Sequence, residues 1–204
     1  MKINEPKILN YEEKKIENCE FNNGKFSLNI DENIIISDTT FDSCIFEKID
    51  FNNIELKNVD IIDTIFDGCD LSNKKFDNKL LGRVIFKNCK MVGISFQQSS
   101  LKDVQIDNCI LKYSDFSQSK VRNVIIKNSE LSESSFIQTD IKNIEFENIN
   151  FTKTEFIKTS LKGIDFSDSI IEGIAVSIED IKGASINEFQ AVDLLYLLGV
   201  KIKE

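Results

Sequence analysis

The chain has 204 residues, 34 Asp/Glu against 25 Lys/Arg, a formal net charge of −9, one proline, no tryptophan and no histidine. That length suits one domain with a sizeable core. The missing histidine removes the commonest general base and metal ligand, and the acidic balance argues against direct nucleic-acid binding, which needs clustered Lys and Arg. No stretch has the apolar length of a signal core or a membrane span, so a cytoplasmic protein with no membrane partner is expected.

Residues 1–15 read as a polar lead-in. From Ile16 an apolar residue recurs at every fifth position through Phe21 and Phe26, and the pattern breaks at Asp31. It resumes at Ile36 and holds for 31 consecutive positions to Ile186, all Phe, Leu, Ile, Val or Met. Fifteen of the 16 phenylalanines keep this register, and Phe189 is the exception. A period of five fits neither a helix, at 3.6, nor a strand, at 2. A chain that buries one residue in five must turn a corner at each repeat.

Two positions before the large residue stands mostly a small or β-branched one, such as Thr64, Cys69, Ser114, Thr139 or Thr154, and all five cysteines, counting Cys19, lie there. Both positions are expected to face inward, with three polar positions facing out. The cysteines then serve as small buried residues without a basic neighbour to make a thiolate. Lys74 and Lys79 fill two successive small inward sites. Burying an unpaired lysine is costly, so the backbone near residues 72–83 is expected to bulge and turn them out.

The units Cys69-Asp70-Leu71-Ser72-Asn73 and Ser114-Asp115-Phe116-Ser117-Gln118 resemble those of the pentapeptide-repeat family, and the resemblance spans residues 16–186. It implies an all-β solenoid, a right-handed quadrilateral β-helix with twenty residues per coil. Columns of residues twenty apart agree with that coil size: Phe76, Phe96, Phe116, Phe136 and Phe156, and also Phe26, Phe46, Phe66 and Phe86. Outside, Asn88, Asn108, Asn128 and Asn148 align, as do Gln98, Gln118 and Gln138. Amide ladders of this kind hydrogen-bond from coil to coil. At about 4.8 Å per coil, eight or nine coils make a rod roughly 40 Å long.

Residues 187–204 read as a cap. Asn187 with Gln190 forms a capping-box signal, Glu188 to Leu198 a short helix, and Gly199 its C′ residue. This helix is apolar nearly all round. One side is expected to close the last coil and the other to meet a second copy through Phe189, Val192, Leu194, Leu195, Tyr196 and Leu198, with residues 199–204 as an edge strand. The tail, with Asp180-Ile181-Lys182-Gly183, Gln190-Ala191, Leu194 and Leu198-Gly199-Val200, resembles the dimerisation segment of the gyrase-protecting Qnr and MfpA groups. It departs from Qnr at Tyr196 and Leu197, where charged residues are usual. The unbroken register also leaves no room for the two projecting Qnr loops, as in the loop-free MfpA type.

That resemblance implies a dimeric rod that imitates B-form DNA, binds the DNA-gripping saddle of DNA gyrase or topoisomerase IV, and modulates quinolone susceptibility. The alternative is an interaction scaffold with another partner. A mimic needs aligned carboxylates. The candidates are Glu47, Asp50, Asp67, Asp70, Asp107, Glu130, Glu145, Glu147, Asp165 and Asp168, interspersed with lysines such as Lys48, Lys87, Lys90 and Lys127. Another side carries a basic row, Lys102, Arg122, Lys142, Lys162 and Lys182. Ile45, Ile65, Ile85 and Ile125 form an outward apolar column that serves either a partner or strand propensity. A convex rod without Gly-rich loop, cleft or metal ligands implies no catalysis, cofactor, metal or small-molecule substrate.

Overall fold

The computed structural model describes residues 3–8, 11–13, 21–27 and 33–200. Ile16, Cys19, Asp31 and most of the edge strand expected over 199–204 lie outside them. The strands are β1 (Glu12–Glu13), β2 (Gly24–Phe26), β3 (Ile34–Asp42), β4 (Ile45–Glu47), β5 (Ile54–Asp67), β6 (Leu80–Lys87), β7 (Ser100–Asp107), β8 (Lys120–Glu130) and β9 (Asp140–Asn150). All pair in parallel, and from β2 onward the register offset is twenty residues, as in Leu81↔Leu101 and Val121↔Ile141. Single bridges at the same offset, such as Asp70↔Lys90 and Ser95↔Asp115, mark the remaining two sides. The fold is therefore the four-sided β-helix expected, all-β apart from short helices at its C-terminal end.

The corner has a definite backbone cause. Every fifth residue from Asn58 to Gly163, two places after each large apolar residue, has a positive φ. Left-handed backbone costs an L-residue about 1–2 kcal/mol, and least for Gly and Asn. Asn accordingly fills more of these corners than any other residue, as at Asn58, Asn73, Asn88 and Asn108.

The interior repays that cost. The fifteen in-register phenylalanines are buried, whereas Phe189 is 79% exposed. Phe96, Phe116 and Phe136 stack with centroids 5.0 and 4.6 Å apart, and Phe26, Phe46, Phe66 and Phe86 stack at 4.9–5.0 Å. The small inward residues also supply donors. Thr139 Oγ1 donates to the Phe116 carbonyl at 2.9 Å, Thr154 Oγ1 to Leu131 at 2.7 Å and Cys69 Sγ to Phe46 at 3.3 Å, each reaching one coil back.

Lys74 and Lys79 correct an expectation, because the backbone there does not bulge. Asn73 and Asn78 keep the ordinary corner φ, and Lys75 bridges Ser95 in register. Instead the coils part on one side. Residues 54–57 of β5 pair downward with 34–37, while the ladder to the coil above resumes only at Ile61↔Leu81. The lysines span this opening: Lys74 Nζ donates to the Ile54 carbonyl at 2.9 Å and Lys79 Nζ to Asn58 Oδ1. Burial lowers the Lys74 pKa.

The cap differs too. The helix expected over 188–198 is split into α2 (Gln190–Asp193) and a 3₁₀ turn (Leu195–Leu198), preceded by a one-turn helix, α1 (Ile178–Ile181). The capping box forms: Asn187 Oδ1 accepts from the Gln190 N–H and Gln190 Oε1 from the Asn187 N–H. Leu194 and Leu197, three residues apart, both pack on the core, and a 3₁₀ turn sets residues at that spacing on one face. Gln190 is buried, and its Nε2 donates to the Phe166 and Ser169 carbonyls at 2.7 and 2.6 Å, closing the last coil.

The lead-in is more than a polar tail. Residues 3–8 lie across the coils along one edge. The Asn4 side chain donates to Asp103 at 3.0 Å, the Lys7 N–H donates to Asp63 at 2.9 Å, and Ser43 Oγ donates to the Lys7 carbonyl at 3.3 Å.

Phe116 lies mid-stack, so Phe116→Ala is expected to cost about 3–5 kcal/mol, while Lys120→Ala, on the exposed side of the same coil, stays within about 0.5 kcal/mol. Urea denaturation of the two variants checks this.

Candidate functional site

The outward residues form ladders, and their chemistry sorts the candidate carboxylates. Amide rungs connect Asn108 to Asn88 at 2.8 Å, Asn148 to Asn128 at 3.1 Å and Gln98 to Gln118 at 2.8 Å. Asn128 turns instead to Asp107, so the asparagine column is interrupted there. Charged rungs follow the same offset: a cation reaches the carboxylate twenty residues earlier in Lys87–Asp67 (3.0 Å), Lys90–Asp70 (2.9 Å) and Lys127–Asp107 (3.4 Å). Glu47 pairs with Lys25 at 3.0 Å. Four of the ten candidates, Glu47, Asp67, Asp70 and Asp107, are thus locally neutralised.

Several of the others accept hydrogen bonds from neutral donors. Asp50 accepts the Asn52 N–H at 2.8 Å, Glu130 accepts from Asn150 at 3.2 Å, and Asp165 accepts the Ser167 N–H at 2.9 Å, which lowers the Asp165 pKa. Asp168 accepts from the Asn148 N–H at 3.0 Å and from Ser169 Oγ at 3.1 Å. Glu145 is half-exposed and Glu147 exposed. Among the described residues no salt bridge reaches Glu130, Glu147, Asp165 or Asp168.

The charge is therefore graded along the rod. Residues 34–127 hold thirteen acidic and thirteen basic residues, whereas residues 128–186 hold eleven acidic and five basic. The acidic coils adjoin the cap. Beside them a shallow groove of about 300 Å³ follows Asn108, Asn128 and Asn148, flanked by Ile110, Ile170, Glu130 and Asp168. Ile110 and Ile170 are 47% and 54% exposed. The repeat pattern marks their position as outward, and large apolar residues at an outward position are the signal that would have singled them out. By contrast Ile45, Ile65, Ile85 and Ile125 are half-buried within the β-ladder.

Of the six residues expected at a second-copy contact, Leu194 packs on the core and Leu195 is half-buried. Phe189, Val192, Tyr196 and Leu198 are exposed, and the Tyr196 hydroxyl donates to the Ile174 carbonyl at 2.6 Å. In the basic row Arg122 pairs with Asp140, while Lys102, Lys142, Lys162 and Lys182 are exposed. Cys44, Cys69, Cys89 and Cys109 are buried, and the thiols of Cys69 and Cys109 are pushed up by hydrogen bonding to Cys89 and by burial. Among the described residues no cluster of three or more His, Cys, Asp or Glu is placed to hold a metal, and no helix is long and apolar enough to cross a membrane.

Family models agree with this repeat geometry. The pentapeptide repeat region model matches residues 59–136, and the pentapeptide repeats model matches 35–73 and 129–168. The chain belongs to the pentapeptide-repeat family. No curated protein matches it. Among solved pentapeptide-repeat folds, a trypsin-treated variant of QnrB1, a plasmid-mediated fluoroquinolone resistance protein, is 21% identical with 89% of each chain covered and a TM-score of 0.49. Rfr23 from the cyanobacterium Cyanothece 51142 is 16% identical, covering 60% of this chain and 90% of its own, with a TM-score of 0.42. At these identities the likeness concerns the fold alone.

One charged rung of this pentapeptide-repeat rod is built differently from the rest. Arg83 Nε and Nη2 each donate to Asp63 at 2.6 Å, and the Lys7 N–H adds a third donor. The Arg83 hydrogen bonds hold the Asp63 carboxyl below the usual range despite burial. A depressed carboxylate stabilises the fold above its unfolded pKa of about 3.9, and that contribution is lost as pH falls through the folded value. Denaturation of the wild type is therefore expected to show falling stability below about pH 4, with a shallower fall in Asp63→Asn.

Proposed function

We propose that this chain is a non-catalytic, DNA-mimicking protein that dimerises through its C-terminal cap and binds a type II topoisomerase, DNA gyrase or topoisomerase IV, modulating its response to quinolones. The charge gradient is the observation that carries this reading. Residues 128–186 carry six more acidic than basic residues. Over three coils, about 14 Å of rod, that is roughly one net negative charge per 2.4 Å, and B-form DNA carries one per about 1.7 Å. The neutral coils below come nowhere near that density.

The cap supports a second copy. Phe189, Val192, Tyr196 and Leu198 are exposed beside one another in a short apolar segment, and patches of this kind mark interfaces. The tail resemblance to the Qnr and MfpA groups names the partner class. The basic row on another side, with Lys102, Lys142, Lys162 and Lys182 exposed, favours a second reading: a pentapeptide-repeat scaffold for a different protein, without gyrase activity.

A gyrase supercoiling assay with added protein, with and without ciprofloxacin, separates the two. Inhibition or protection at micromolar protein is expected, and reversing the acidic coils with Glu147→Lys and Asp168→Lys is expected to weaken it at least tenfold. No effect in either arm leaves the scaffold reading. Light scattering checks the dimer: the wild type is expected at twice the monomer mass, and Phe189→Asp with Leu198→Asp at the monomer mass. Because like-charged coils adjoin the contact, the dimer should tighten as salt rises.

A further inference from the structure

A β-helix is held together coil by coil, so its contacts repeat at short sequence separation and its stability is a sum of neighbouring terms. Residues 3–8 break that rule. Asn4 reaches Asp103 across 99 residues and Lys7 reaches Asp63 across 56. The segment is extended across the rod: three residues from Asn4 to Lys7 span about 10 Å, and the two coils between Asp103 and Asp63 rise about 9.6 Å.

The edge it crosses is built to receive it. Ser43, Asp63, Arg83 and Asp103 occupy successive left-handed corners. The same column continues as Asn123, Asn143 and Gly163, where Asn143 donates to Asn123 and Asn123 to Asp103 in an ordinary amide ladder. Beneath the segment the ladder changes chemistry. Asp63 and Asp103 are only 6% and 3% exposed, which is unfavourable for a carboxylate unless its oxygens are satisfied. Their donors are Arg83 and the Lys7 N–H at Asp63, and both the Asn4 N–H and Asn4 Nδ2 at Asp103, with Asn123. The donors come from the segment's main chain as well as its side chains. Burial opposes ionisation of Asp103, and the Asn4 and Asn123 hydrogen bonds outweigh it.

We propose that residues 3–8 are a latched strap that ties the coils from Ser43 to Asp103 into one cooperative unit, with Asp63 and Asp103 as its two catches. The lower coils need such a tie more than the upper ones, because the ladder is incomplete between residues 54–58 and 74–78, within the span the strap bridges. Among the described residues no such segment covers the same column at Asn123, Asn143 and Gly163.

Hydrogen exchange read by mass spectrometry on the full chain tests this. Lys7→Pro removes the N–H donated to Asp63, together with the Lys7 charge near it, and leaves the Asp63–Arg83 pair and every core residue in place. Asn4→Ala removes the side-chain donor to Asp103. In either variant, amides of residues 3–8 and of 34–67 are expected to exchange about tenfold faster, with 120–170 unchanged. Three results overturn the proposal: residues 3–8 unprotected in the wild type, a released strap with 34–67 still protected as before, or equal loosening along the whole rod.

Discussion

A left-handed residue at every fifth position is the constraint on which the rest of the structure depends. It turns the chain through a corner, and with the opposite backbone sign the large residues would no longer converge on one interior. The cost, about 1–2 kcal/mol per corner for an ordinary residue, is met locally. Each repeat buries one large side chain, worth about 1.5–3 kcal/mol, and ring stacking adds about 0.5–1.5 kcal/mol where Phe columns form. Asparagine recurs at corners because it serves twice: its backbone tolerates the left-handed region, and its amide extends a coil-to-coil ladder, as from Asn108 to Asn88 and from Asn143 to Asn123.

The same twenty-residue offset governs the electrostatics. A lysine one coil above an aspartate neutralises it, as at Asp67, Asp70 and Asp107. Such exposed pairs add little stability, about 0–1 kcal/mol each, but they decide which carboxylates present charge to a partner. A column that alternates in sign is electrically quiet whatever the net charge of the chain. Above residue 127 cations are fewer, and there Glu130, Asp165 and Asp168 accept from Asn and Ser instead, whereas Asp140 still pairs with Arg122. Net charge alone thus says less than where the ladders change from ion pairs to amides.

These ladders also show how far the sequence could be followed. The Phe, Asn and Gln columns were legible because each contact lies one coil away, so a single spacing predicts it. The left-handed corners left a visible trace in the Asn and Gly content of one outward position, although polarity alone did not single that position out. The strap was not legible: its contacts span 56 and 99 residues and follow no period. The available hint was local, two aspartates and an arginine in a corner column that elsewhere holds Ser, Asn and Gly. Lys74 and Lys79 misled because a lysine at an inward site was expected to displace backbone, whereas the coils opened and the ammonium groups took up Ile54 and Asn58 oxygens. The cap helix was broken by packing, since Leu194 and Leu197 both had to reach the core.

The acidic coils and the exposed cap residues share one end of the rod, and this couples the two halves of the functional proposal. A single copy presents about 14 Å of dense negative charge, counting three coils at the strand spacing, or roughly four base-pair steps at about 3.4 Å each. A twofold contact through Phe189, Val192, Tyr196 and Leu198 would set two such segments on either side of the paired caps, about 28 Å of charged rod in all, or roughly eight steps. The neutral lower coils, held by the strap, would then form the two distal ends. Apolar burial at the cap has to overcome repulsion between the segments it brings together, so a partner that is basic would both read the charge and relieve the repulsion. On this geometry binding and dimerisation favour one another, and a monomeric variant would lose affinity even with every carboxylate in place.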